Sequence, residues 1–250
     1  MTEKPTLTIL YQDEHIVAID KPASLFVHRS FLDKNERFFA LQLLRDQLGQ
    51  YVYPVHRLDK PTSGVLLFAL SSEVARTLTE AFTEREVSKT YYALVRGFLE
   101  KQVTVDYPLK EKLDKIGDKY ASEDTEAKDA LTCFETLCQG TIDKPLGKYN
   151  SVRYSLVKAT PKTGRRHQIR RHLAHLRYPI IGDVNYGDNK QNPFFAQEFG
   201  FRRLMLFAQS LTFPHPVTKT PVTIAATFDE QWLAVFDHLG WQPPQLEESA

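Results

Sequence analysis

Residues 55–70 read VHRLDKPTSGVLLFAL. The second half, Val65 to Leu70, is an unbroken apolar run, the pattern of a strand buried on both faces. The first half is charged and lies directly ahead of it. Pro61 biases Lys60 away from helical backbone, and Gly64 permits a tight turn. Asp59 is therefore expected on a loop held by a rigid strand, a frequent place for reactive groups. The plainer reading is a turn aspartate whose carboxylate accepts backbone N–H groups. His56 and Asp59 form a His-x-x-Asp pair, which by itself is weak evidence for acid–base chemistry.

Upstream, LTILYQDEHIVAID (7–20) reads as two short β runs around the polar loop Gln12–His15, a hairpin pattern, and Lys21-Pro22 ends the second run. Phe39 to Leu48 suits a helix stopped by Gly49. Downstream, Ser71 and Ser72 can cap a helix in which Val74, Leu78 and Ala81/Phe82 recur at helical spacing. Thr90 to Phe98 is aromatic and β-branched enough for a strand. Residues 100–129 hold nine acids and six lysines and read as an exposed excursion. Strands are expected near 130–138, 152–159, 204–213 and 221–227, with helices over Arg166–Arg177 and Asp229–Leu239. Strands outnumber helices and no βαβ alternation is sustained, which predicts an α+β fold with a large, mostly antiparallel sheet. No Gly/Ser-rich linker divides the chain, so residues 1–250 read as one domain.

Composition narrows the classes. A net charge of +1, 25% charged and 42% hydrophobic residues are ordinary for a globular chain and argue against intrinsic disorder. Cys133 and Cys138 are the only cysteines. Five apart on a strand, they are expected on opposite faces, and they match neither a disulfide framework nor C-x-x-C. No apolar run approaches the roughly 18 residues of a membrane helix, and no secretory leader is recognisable, so a reduced, soluble, cytoplasmic protein is expected. The near-neutral total hides an asymmetry. Lys144 to Gly182 contains ten Lys/Arg and no Asp/Glu, whereas Thr220 to Ala250 contains five acids and no Lys/Arg. Such a basic stretch, interleaved with histidines and tyrosines, suits polyanion binding.

Two further segments carry chemistry. In TGRRHQIRRH (163–172), helical geometry places Ile169, Leu173 and Leu176 on one apolar stripe, Arg166, Arg170 and Arg177 on its flank, and Arg171 and His175 toward solvent. Arg170, at the edge of the core, is placed to fork onto a buried carboxylate and keep it ionised; the alternative is a surface arginine whose stem covers apolar area. In KTYYALVRG (89–97), Tyr91 and Tyr92 point to opposite faces of a strand, so one can pack in the core while the other offers a flat ring. His172 and His175 lack a nearby Cys or Glu to complete a zinc set, so no metal is expected. Neither a Walker A loop nor G-x-G-x-x-G is present, so no nucleotide cofactor is indicated, and the lack of G-x-S-x-G argues against an α/β-hydrolase.

Together these segments resemble the pseudouridine synthases of the ribosomal large-subunit synthase A type. HRLDKPTSGVLL looks like that family's catalytic motif, KTYYALVRG like its tyrosine motif, and TGRRHQIRRH with RYPIIGD (177–183) like its third; the Arg-Tyr pair before the proline is a minor departure. The likeness runs from about residue 9 to 228. It implies a single α+β catalytic domain, a long and mostly antiparallel sheet with a central cleft, and no room for the N-terminal S4-like domain that many members carry. It implies an RNA isomerase without cofactor, in which Asp59 is the catalytic carboxylate, Arg170 pairs with it, Tyr91 stacks on the target uracil and assists proton handling, and Arg57 fills the space of the flipped base. His56, Arg57, Arg165, Arg166 and Arg171 would contact RNA. Among shorter members, VHRSFLD (27–33), LDKIGDKYA (113–121) and RRHLAHLRYPIIGD (170–183) look most like one acting on uridine 65 of tRNA, with ribosomal RNA as the alternative substrate and a non-catalytic RNA-binding relative as the alternative class. Nothing points to an obligate oligomer, and a monomer is expected.

Overall fold

The structure is a computed structural model that describes residues 4–29, 36–110 and 126–246. The phrases at 30–33 and 113–121 lie outside the described residues. β1 (Thr8–Gln12) and β2 (Ile16–Lys21) form the expected hairpin, with Asp13 accepting the N–H groups of His15 and Ile16 at its turn. α1 (Ala40–Leu48) stops at Gly49, whose φ of +67° is left-handed. β3 (Tyr53–Pro54) is short. β4 (Ser63–Ala69) is buried along its whole length. α2 (Ser72–Thr83) is capped by the Ser71 hydroxyl, which accepts the Val74 N–H.

β5 (Ser88–Arg96), β6 (Gln102–Asp106), β7 (Leu131–Ile142) and β8 (Val152–Pro161) follow; then come α3 (Gln168–His175), α4 (Gln191–Phe199), β9 (Leu206–Pro214), β10 (Pro221–Ala225) and α5 (Glu230–His238). They build one ten-stranded sheet in the order β1-β2-β4-β9-β5-β8-β7-β6, with β10 on β9 and β3 on β4.

The apolar run that begins at Val65 is explained by two cores. Its alternate residues Val65, Leu67 and Ala69 join the larger core with α2, α3 and α5, while Leu66 and Phe68 join a smaller one with α1. β2 splits the same way, Ile16 and Ala18 against Val17 and Ile19. A strand covered by helices on both faces needs no polar side, so it shows no alternation.

The sheet has a seam. Among the described strands of the sheet, every pairing is antiparallel except β4 with β9, which run parallel and meet only at Ser63–Phe207 and Gly64–Ala208. Beyond that point the strands part, β3 pairing with the far end of β4 and β10 with β9. Gly64 has φ +113°, and a Cβ there would lie 2.1 Å from the Ala208 carbonyl oxygen. Only glycine allows the two halves of the sheet to join here. The loop that carries Asp59 enters at this junction.

Two expectations are corrected, and one helix is added. Residues 102–106, read as part of an exposed excursion, form the edge strand β6, because Val103 and Val105 supply an inward-facing pair on β7. Nothing in the sequence reading assigned 191–199, which form α4: Pro193 sits in the first turn, where its missing N–H costs nothing. Cys133 and Cys138 pair with Thr160 and Leu156, an even number apart, so the bulge between Thr136 and Cys138 puts them on one face rather than two.

Candidate active site

Asp59 makes its turn with its backbone, not its side chain: its carbonyl accepts the Thr62 N–H at 3.0 Å. The carboxylate is left for Arg170, whose Nη1 donates to Oδ2 at 3.1 Å. Arg170 is 3% exposed. α3 carries it on the flank of the stripe formed by Ile169 and Leu173, both buried, as its helical spacing predicts.

The other edge of the guanidinium is taken by a residue that sequence reasoning did not single out. Nε and Nη2 of Arg170 fork onto Asp183 at 2.7 and 2.9 Å. Asp183 is fixed in turn by the N–H groups of Asn185 and Tyr186. Burial alone would raise the Asp183 carboxyl, but the hydrogen bonds and charge of Arg170 and those two N–H groups hold it below the usual carboxylate range. Burial likewise works against the charge on Arg170, and the two aspartates more than offset it. The only hint in the sequence was that Asp183 closes RYPIIGD, 13 residues beyond Arg170. One arginine thus serves a fully bound carboxylate and a partly free one.

Tyr91 stands on the other side of the seam. Its cross-strand partners are Ala159 on β8 and Ala208 on β9, and Ala208 faces Gly64 on β4. Small residues on three neighbouring strands therefore lie in register with it. Tyr91 packs against both cores. Burial, reinforced by the charge of Asp59, pushes its phenol well above its ordinary range, so it carries its proton at neutral pH. Tyr92 takes the opposite face and meets Phe228 edge-on at 5.2 Å.

Below the loop lies a second unexpected group. Lys21 is fully buried, and its ammonium donates to the carbonyls of Pro22, Leu25 and Lys60 at 2.9, 2.9 and 3.1 Å. Three N–H donors meet three acceptors, and the Lys60 bond ties down the residue after Asp59. Burial lowers its pKa to about 7, against the opposing charges of Asp59 and Asp20.

His167 is the N-cap of α3 and is held left-handed, at φ +55° and ψ +27°. Its Nδ1 lies 3.0 Å from the Tyr186 hydroxyl, and its Nε2 lies 3.7 Å from Asp59 Oδ2. The Tyr186 ring packs under the Arg170 guanidinium at 5.3 Å.

The residues expected to contact RNA separate into two groups. His56 turns inward: its Nε2 accepts the Leu67 N–H at 3.0 Å and its ring stacks on Phe82 at 5.0 Å. Burial above all, with the charge of Lys89, lowers its pKa to about 3. Its Nε2 is committed to β4, so the neutral ring braces that strand. Arg57 is exposed. Arg165 donates through Nε to the Asp129 carbonyl, and Arg171 through Nη1 to that of Lys110; Arg166 is partly buried. The acid-free stretch from Lys144 to Gly182 is not one free basic face, since Lys144 pairs with Glu198 and Arg170 lies inside. Among the described residues no cluster of three His, Cys, Asp or Glu could hold a metal, and no helix is long and apolar enough to cross a membrane.

Comparison with known proteins points to one family. The family model described as RNA pseudouridylate synthase matches residues 15–175. The tRNA pseudouridine synthase C of Vibrio cholerae is 51% identical over 240 residues, covering 96% of this chain and 98% of that protein. The protein of the same name from Yersinia pestis is 52% identical over 243 residues, covering 96% and 95%. Among solved structures, Human RNA Pseudouridylate Synthase Domain Containing 1 superposes with a TM-score of 0.71 at 26% identity, over 100% of this chain and 93% of that one.

Proposed function

The chain belongs to the RNA pseudouridylate synthase family, whose members are isomerases, and on that premise we propose that it converts uridine 65 of tRNA to pseudouridine with Asp59 as its catalytic carboxylate. The N-glycosidic bond of the target breaks, the uracil rotates, and C5 is joined to C1′; the C5 hydrogen is released and N1 gains one, so the product is an isomer. Attack by the carboxylate on C1′ and removal of a C2′ proton to give a glycal both require an ionised Asp59. The observation that carries the reading is the Asp59–Arg170–Asp183 arrangement: a half-neutralised carboxylate at the sheet junction, one oxygen held and the group still 20% exposed.

Tyr91, protonated at neutral pH, enters as a ring for the uracil to stack on and as an O–H donor. Asp183 is already saturated by Arg170 and two N–H groups. It therefore does not act as the second, water-activating carboxylate of a retaining glycosidase, and isomerisation rather than hydrolysis is favoured. The target base must leave its stack, which costs a few kcal/mol. Arg57, exposed two residues before Asp59, fills the vacated space in this reading, and phosphate contacts from Arg165, Arg166 and Arg171 offset the cost. No cofactor is needed; the enzyme acts as a monomer in the cytoplasm.

The choice of tRNA rests on the two relatives at 51% and 52% identity. It is tested by mapping pseudouridines in tRNA and ribosomal RNA from cells with and without the protein. Loss of a single tRNA site is expected; loss at a ribosomal site instead overturns it. Asp59→Asn is expected to abolish turnover while folding and RNA binding survive. An Asn variant that isomerises uridine at a comparable rate removes Asp59 from the chemistry.

A further inference from the structure

We propose that His167 is a positioning residue for the catalytic carboxylate: together with Arg170 it holds Asp59 by one oxygen, Oδ2, and so presents the other, Oδ1, to the substrate. The inference rests on the role of Asp59 proposed above.

Three observations converge on it. First, Arg170 Nη1 at 3.1 Å and His167 Nε2 at 3.7 Å approach the same atom, Asp59 Oδ2. Among the described residues, Oδ1 accepts no hydrogen bond. At 3.7 Å the His167 approach is an electrostatic contact rather than a hydrogen bond. Second, the ring is set from its far side. If the Tyr186 hydroxyl donates to Nδ1, the proton sits on Nε2 and points at the carboxylate; the other tautomer would aim a lone pair at a negative oxygen. The electrostatics therefore select the Nε2–H form. Third, the backbone is bent to place it. His167 is a non-glycine residue in the left-handed region, at φ +55°, and it offers no side-chain cap to α3. Strain of this kind is kept where the geometry it gives is used.

The charges around the ring decide its state. Asp59 and Asp183 face it from their two loops, Tyr186 is in contact, and Arg166 and Arg170 come from its own segment. Burial lowers its pKa most, and the attraction of Asp59 only partly restores it. The ring is thus neutral at pH 7. Protonation in acid places a second cation beside Arg170 on the same carboxylate, which weakens it as a nucleophile or base.

The test is single-turnover isomerisation from pH 5 to 8.5, with total RNA from cells lacking the protein as substrate. His167→Asn is the decisive variant, because Asn tolerates the left-handed backbone but does not reach Asp59. It is expected to melt like wild type and bind RNA equally well, yet to lose about tenfold in rate at pH 8 through misorientation of the carboxylate. The wild-type rate should fall in acid and the variant's should not, so the gap closes toward pH 5. Tyr186→Phe should lose less and keep the acid fall. A His167→Asn enzyme with the wild-type rate and acid limb overturns the inference, as does one whose loss shows in melting or RNA affinity and is the same at every pH. Asp59→Asn, run alongside, separates the two readings. If it is inactive while His167→Asn behaves as wild type, only the present inference falls. If it is active, the reading of the site falls with it.

Discussion

Arg170 and Arg171 are neighbours on α3 with opposite fates. Arg170 faces inward, 3% exposed, and binds Asp183 in a fork and Asp59 end-on. Arg171 faces outward and makes one bond, to the Lys110 carbonyl. The helical turn of about 100° per residue separates them, and with it the two regions of the molecule that use cations: an interior where charge is paired atom by atom, and a surface where it is screened. Inside, each cation fixes a geometry. Outside, each contributes to a field, and single contributions are small.

The contrast is broken most severely by Arg170→Ala. It strands Asp183 inside the protein and removes the partner of Asp59, and losing one member of a buried pair costs about 3–5 kcal/mol. Thermal melting is expected to fall sharply and turnover with it. Arg170→Lys should recover only part of either, because an ammonium cannot reproduce the fork. A variant that melts and turns over as wild type would mean that the interior pairing is not what holds the site.

A smaller effect of opposite sign is expected at Asp20. Burial first, then the charge of Asp229, raises its pKa from 3.8 to about 6, against Arg203 and Lys21. In the unfolded chain it ionises near 3.8, so between the two values the folded state holds more protons. Stability therefore falls as pH rises through that window and stays lower above it. Asp20→Asn should stabilise the protein above about pH 6, on the order of 1 kcal/mol after allowing for partial exposure, and give no gain below about pH 4. Denaturant melts at pH 4 and pH 8 decide it, and an equal effect at both sinks the argument.

The smallest change is expected from Arg171→Ala. Melting should move by less than about 0.5 kcal/mol, while RNA affinity weakens and the log–log salt slope drops by about 1. An unchanged slope would place the RNA on another face.

The same contrast marks what could be read in advance. The hairpin, β4, α2 and the inward face of α3 were legible because each is a local pattern: alternation, an apolar run, a cap, a 3.6-residue stripe. Asp59 could be placed ahead of a rigid strand, and Arg170 at the core edge, for the same reason. Asp183 was not legible, since a carboxylate after Gly182 looks like any turn aspartate until α3 brings Arg170 against it. The bond from the Leu67 N–H to His56 and the stacking of its ring on Phe82 were not legible either, since both partners lie outside the motif's own turn. Lys21 gave no signal either, because its carbonyl partners belong to irregular backbone from two separate segments.

By itself, then, the sequence determined the strand-rich α+β class, the position of the loop that carries Asp59 and the direction of Arg170, since side-chain period and turn chemistry act over a few residues. Tertiary structure alone decided which charges meet. The two-residue junction of β4 and β9 at Gly64, the second carboxylate on Arg170, the inward turn of His56 and the approach of His167 to Asp59 all depend on segments far apart in the chain. A contact of that kind has no local period to announce it, and its energy exists only once the intervening chain has folded.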